Sequence, residues 1–128
     1  MAEEPSGRDV EQIGEDFLAF VQEEALRIDP DDLDALAFLA ETYTRRGRFE
    51  KGLALDRRLA ALRSDDPIVH YNLACSLSLT CHEEEALQAL RRAVELGYDD
   101  FAHLEKDADL KNVRGHPGFE EVRRKLRS

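Results

Sequence analysis

The aspartate pairs Asp31-Asp32, Asp65-Asp66 and Asp99-Asp100 recur at intervals of 34 residues. With that offset and no gap, residues 31–64 and 65–98 share nine identities, among them Leu39-Ala40 with Leu73-Ala74, Leu53 with Leu87, Arg57-Arg58 with Arg91-Arg92, and Leu62 with Leu96. A period of this length marks a chain built from stacked supersecondary units, each burying its apolar face against the next.

Each unit reads as two helices. Leu33, Leu36, Leu39, Ala40 and Tyr43 follow three- and four-residue spacing, which lays them on one helical stripe. Gly47 supplies the left-handed residue that commonly ends a helix, and Phe49, Leu53, Leu55, Leu59 and Leu62 build the second helix. In the next unit Val69, Leu73, Ala74 and Leu77 precede Ala86, Leu87, Leu90, Ala93, Val94 and Leu96. Ala40 with Gly52, and Ala74 with Ala86, put small residues where paired helices must cross closely. No alternating β-branched run competes, so the fold class is all-α.

These features resemble the tetratricopeptide repeat family. The second unit carries the resemblance in Tyr71-Asn72-Leu73-Ala74-Cys75, Glu84-Glu85-Ala86-Leu87 and Ala93-Val94-Glu95-Leu96-Gly97-Tyr98. The first unit carries it in Leu39-Ala40, Tyr43, Gly47 and Phe49. It departs from the family pattern with Leu59 in place of alanine and Cys81 in place of glycine, the latter suggesting a different inter-helix turn. The implied architecture is a short α-solenoid of stacked antiparallel helix pairs with capping helices at both ends.

The ends fit the same frame. Val10, Ile13, Phe17, Phe20 and Val21 form an apolar stripe, and residues 9–28 read as a solitary capping helix. Residues 1–8 read as a disordered acidic tail, and residues 9–128 as one domain with repeats at 31–64 and 65–98. Over 99–128 a degenerate third unit starts with Phe101 and Leu104 and breaks at Asp107. The stretch that follows resembles the end segment of bacterial tetratricopeptide arrays, with Pro117 opening a helix and Leu110, Val113, Phe119, Val122 and Leu126 closing the core.

The formal charge of −10 is uneven. Residues 1–34 carry twelve acids against two arginines, whereas residues 45–63 carry seven basic residues against two acids. Net repulsion opposes a nucleic-acid partner, which needs a basic face. The basic stretch reads as a solvated helix face neutralising the acidic segment beside it; binding of DNA or RNA through it would be strongly salt-dependent. No apolar run approaches the ~18 residues of a membrane span. The acidic start lacks the basic and apolar regions of a secretory signal, so the expectation is a cytoplasmic protein.

Little in the chain points to catalysis. His82-Glu83-Glu84-Glu85-Ala86 begins like a zinc-protease motif but lacks its second histidine, so His82 reads as part of a helix-opening turn. Cys75 and Cys81 have no zinc spacing and read as free thiols. His70, His103 and His116 show no arrangement that marks a triad, and Gly115-His116-Pro117-Gly118 lacks the lysine and spacing of a phosphate loop. No cofactor, no metal and no enzymatic activity are expected.

The resemblance implies binding of a peptide segment in the concave groove lined by the first helix of each unit. The candidate residues are Ala37, Glu41 and Arg45 from the first unit, Ile68, Tyr71, Asn72, Cys75 and Ser78 from the second, and Glu105 from the third; Asp34, Thr44, Leu79 and Ala102 share that surface. One family subset clamps a chaperone's C-terminal carboxylate. Asn72 matches a clamp asparagine and Lys106 can stand for its arginine, but Ala37, Ala102 and Glu41 replace the other polar positions. A new carboxylate with lost cations disfavours an acidic tail. Tyr71, with Ile68 and Leu79, suits an apolar or mildly basic ligand, unless its ring simply packs on the next helix. The expected function is a small adaptor, monomeric or weakly dimeric, that binds a protein or peptide; the alternative is a secretion-type chaperone holding an unfolded export substrate.

Overall fold

The computed structural model describes residues 9–128; the expected tail of residues 1–8 lies outside them. Among the described residues eight α-helices follow one another: α1 (Val10–Ile28), α2 (Leu33–Arg45), α3 (Phe49–Leu62), α4 (Pro67–Leu79), α5 (Glu83–Glu95), α6 (Phe101–Lys106), α7 (Lys111–Arg114) and α8 (Pro117–Arg127). No strand occurs among the described residues. The 34-residue period predicts six or seven helices; the count is eight because the third unit breaks into α6, a 3-10 turn at Ala108–Leu110, and the four-residue α7.

The repeated aspartates are helix caps. Asp32, Asp66 and Asp100 accept hydrogen bonds from the amides of Ala35, of Ile68 and Val69, and of His103, satisfying donors that a helix start leaves without partners. Pro67 follows its cap at a first-turn position that requires no amide hydrogen. The period therefore records where every first helix begins.

The helices of each unit separate at a left-handed residue. Gly47 has φ 79°, and its amide reaches the Thr44 carbonyl (3.1 Å) while the Arg48 amide reaches that of Tyr43 (2.8 Å). The second unit repeats this turn with Cys81 at φ 63°: the Cys81 amide bonds to Ser78 (3.1 Å) and the His82 amide to Leu77 (2.8 Å). The different turn expected at Cys81 is absent, because the two helices still have to reverse in the same register. A side chain is instead held where L-residues cost about 1–2 kcal/mol. Cys81→Gly is expected to raise stability by about 1 kcal/mol, read as a higher urea midpoint with an unchanged m-value.

The small-residue crossings are equally tight. Ala74 and Ala86 are both fully buried. A Cβ added to Gly52 would lie 2.4 Å from Thr44 Oγ1 and 3.3 Å from the Ala40 carbonyl oxygen. Alanine is the better helix former by about 1 kcal/mol, yet Gly52→Ala is expected to lower stability by about 1–3 kcal/mol through overpacking; an increased melting temperature would contradict this.

The core divides unequally. A small cluster of Leu36, Ala40 and Leu59, joined by Leu26, Leu33, Leu55 and Val69, holds α1, α2, α3 and the first turn of α4. A larger one runs from α3 and α4 through α5 to α8, with Leu104, Leu110, Val113, Phe119 and Val122 fully buried. Leu126 packs on it from a partly buried position. Phe49 and Leu62, assigned to the core by pattern, are exposed.

Helix α1 differs most from expectation. Its apolar stripe points outward: Val10, Phe17, Phe20 and Ile28 are 86, 64, 58 and 87% exposed. The helix meets the array through the opposite face, burying Ala19. Arg45 pairs with Glu15, Arg46 with Asp16 (2.7 Å), and the Tyr43 hydroxyl donates to Glu23 (2.9 Å). The basic stretch thus neutralises the acidic N-terminal segment by contact. Further along it, Arg58 holds Asp31 and the Pro30 carbonyl, and Arg57 bonds to Glu85 (3.0 Å). Among the described residues no helix is long and apolar enough to cross a membrane.

Candidate functional site

Helices α2 and α4 present one face each to a shared concavity of about 770 Å³. Ala37, Glu41 and Thr44 line it from α2, at a spacing that keeps them on one side of the helix; Ile68, Asn72 and Cys75 do the same from α4. The third wall is the irregular stretch of the last unit, through His103, Asp107 and Asp109. A second hollow of about 430 Å³ shares Ile68, Tyr71, Asn72 and His103 and runs on to Gly97–Asp100.

Of the residues expected at a ligand site, Ala37, Glu41, Arg45, Ile68, Tyr71, Asn72 and Cys75 converge on this concavity. Ser78 and Glu105 do not. Ser78 is fully buried, and Glu105 bonds to Arg123 of α8, which holds its carboxyl below the usual range. Arg45 shares its guanidinium between Glu15 and Glu41. Ile68 is 53% exposed and stands as the free apolar surface of the wall.

Tyr71 borders the groove but is only 3% exposed. Its ring stacks on Tyr98, with centroids 4.4 Å apart and planes 10° from parallel, and tilts against His103. Its hydroxyl donates to Asp107 Oδ2 at 2.7 Å. Burial, then the nearby Cys75 and Asp107, pushes the phenol far above its ordinary range, so it is a fixed donor.

Asp107 is the hub of this wall. Besides the Tyr71 hydroxyl it accepts the Cys75 thiol (3.6 Å), lies 3.2 Å from His103 Nε2, and caps the 3-10 turn through the Asp109 amide (3.0 Å). The residue that breaks the repeat pattern thus ties α4 to the end segment. Cys75, Asp107 and Asp109 bring ligand-type atoms within 4.8 Å of one another. Burial, with Asp107 and Asp109 beside it, raises the Cys75 thiol well above its normal pKa. Asp107 links the three, accepting from the Cys75 thiol and from the Asp109 amide.

Sequence reasoning missed Asp56. It lines the concavity from α3, is 6% exposed, and accepts a hydrogen bond from the Ser76 hydroxyl. Burial lifts its carboxyl to about 6, the Ser76 bond partly opposing. The signal was available: Asp56 lies 34 residues before Leu90, a carboxylate where the repeat has leucine. Burial, then Asp107, also raises Asp109. With Glu41, these side chains give the groove an anionic floor beside the Ile68 surface.

No family profile matches the chain. It is 30% identical over 83 residues to a chloroplastic protein of Arabidopsis thaliana, a match taking in 61% of this chain and 24% of that protein. The chain thus spans about a quarter of that relative's length. Among solved structures it is similar to MamA (residues 41 to the end) from Desulfovibrio magneticus RS-1, with a TM-score of 0.65 at 17% identity over 89% of this chain and 67% of that one. A MamA RS-1 double mutant aligns with the same TM-score and coverage at 16% identity. Such identities speak for fold, and the fold agrees with helices paired at a 34-residue register.

Proposed function

From a tetratricopeptide-type array with an open first-helix face, we propose that this chain is a non-enzymatic protein-interaction scaffold whose concave groove holds a segment of another protein. The segment that suits it is apolar with a lysine or arginine beside the apolar residue. The observation carrying this reading is the grouping of Glu41, Asp56, Asp107 and Asp109 around the same concavity as the exposed Ile68. Arg45 beside Glu41 and His103 beside Asp107 share the lining, but the four carboxylates outnumber them, so an entering cation is favoured over an acidic tail.

An unfolded export substrate, as a secretion-type chaperone would hold, calls for a broad apolar trough, which the anionic floor does not favour. The ion pairs of Arg45, Arg46, Arg57 and Arg58 support a protein partner over a nucleic acid. The free thiols, Cys75 buried and Cys81 exposed, are compatible with the cytoplasm.

Selection from a random peptide library on the intact chain tests this reading. Enriched peptides should pair Lys or Arg with an aliphatic neighbour, and Glu41→Lys, at a side chain that is 80% exposed, should weaken them roughly tenfold, the size of a close charge reversal. Enrichment of acidic peptides, or indifference to Glu41→Lys and Ile68→Asp together, would refute it.

A further inference from the structure

We infer that the outward face of α1 is a self-association surface on which a second copy of this chain packs with its own α1. Three observations converge on that occupant. The first is extent. Ile13, Phe17, Leu18, Phe20 and Val21 are each at least 40% exposed, and Val10 and Ile28 extend the patch to both ends of the helix. With phenylalanines of roughly 150–250 Å² each, the face leaves on the order of 800 Å² of apolar side chain uncovered. That exceeds the roughly 300–600 Å² of the largest patch on a typical monomer and equals the roughly 800 Å² each partner buries in a standard interface.

The second observation is charge. A chain of net charge −10 should resist meeting itself, but of the acids on α1 only Glu11, in the first turn, has no partner among the described residues. Glu15 and Asp16 point to Arg45 and Arg46, Glu23 receives the Tyr43 hydroxyl, and Glu24 pairs with Arg27 along the helix (3.2 Å). The one acid within the stripe, Glu24, one turn from Phe20, Val21 and Ile28, carries its own partner in Arg27, so two copies can approach without burying an unpaired carboxylate.

The third observation is Gly14. It lies inside α1, between Ile13 and Phe17 of the patch, and an added Cβ there would meet nothing within 4 Å. Among the described residues no contact calls for glycine here, and neither does an unusual backbone angle; glycine costs about 1 kcal/mol relative to alanine. Close approach of a helix from outside supplies the reason, as Gly52 shows for a crossing inside the array.

Sedimentation velocity on the intact chain across the micromolar range tests the inference. A reversible dimer is expected. Phe17→Asp should weaken it by about 30-fold or more, as loss of an aromatic anchor does, with the helical circular dichroism unchanged. Gly14→Ala should raise the melting temperature of the dilute monomer, because alanine favours the helix, while weakening the dimer roughly tenfold through crowding. Ile68→Asp, in the groove, should leave the dimer intact, so failure of the groove reading and failure of this one are separable. A chain that stays monomeric at high micromolar concentration would overturn the inference, as would a dimer unaffected by both α1 substitutions or one abolished by Ile68→Asp.

Discussion

Tyr71→Ala is expected to destabilise the fold by about 3–5 kcal/mol, the range for truncating a large buried ring. The ring is 3% exposed and stacked on Tyr98, and its hydroxyl occupies Asp107, so truncation opens a cavity and strands a half-buried carboxylate. Tyr71→Phe keeps the ring and removes only the hydrogen bond to the carboxylate, at about 1.5–3 kcal/mol. Urea unfolding of the two variants separates packing from hydrogen bonding. A Tyr71→Ala protein with an unchanged midpoint but lost peptide binding would make Tyr71 a surface anchor and contradict its stacked position.

The opposite sign is expected at Asp56. Burial lifts its carboxyl from 3.8 to about 6, so the folded state retains a proton that the unfolded chain releases. The group costs nothing below about pH 4. Its penalty grows as the pH rises toward 6 and stays constant above, reaching about 3 kcal/mol for a shift of about two units. Asparagine keeps an acceptor for Ser76 and carries no charge, but its buried amide hydrogens offset part of the gain. Asp56→Asn is therefore expected to stabilise the protein by about 1–2 kcal/mol at pH 7 and to destabilise it by about 1 kcal/mol at pH 4, where no charge is relieved and the buried amide hydrogens still cost. Glu85 and Glu105, whose pKa values are lowered by Arg57 and Arg123, act alike in both proteins and cancel in the comparison. A stability difference that is the same at pH 4 and pH 7 would show that Asp56 ionises normally in the fold.

The contrast between Asp56 and the aspartate pairs explains how much of this fold can be read from sequence. Asp32, Asp66 and Asp100 sit at helix starts, where a local hydrogen bond fixes their role, and local chemistry repeats with the period. Leu36, Leu39, Leu87 and Leu90 are legible for the same reason, since helical spacing alone puts them on a buried stripe. Tyr71 and Asp107 are 36 residues apart and meet only after the end segment folds back on α4. Spacing therefore placed Tyr71 on the groove side without revealing that Tyr98 would cover it. The stripe of α1 shows the limit most clearly. Periodicity finds an apolar face but says nothing about what lies opposite, and here charge pairing to Arg45 and Arg46 turned that face outward. Cys81 marks a limit of another kind: the turn geometry is dictated by the two helices it joins, and the residue adapts to it.

The groove is tested most directly by mapping amide chemical shifts on the isotope-labelled chain during titration with a library-selected peptide. The largest changes are predicted at Ala37, Glu41, Ile68, Asn72 and Asp109, on the walls of the concavity, with Arg57, Arg58 and Glu85 unmoved. Changes centred on Arg57 and Arg58, with the α2 and α4 positions silent, would contradict the account and make the basic helix the working surface.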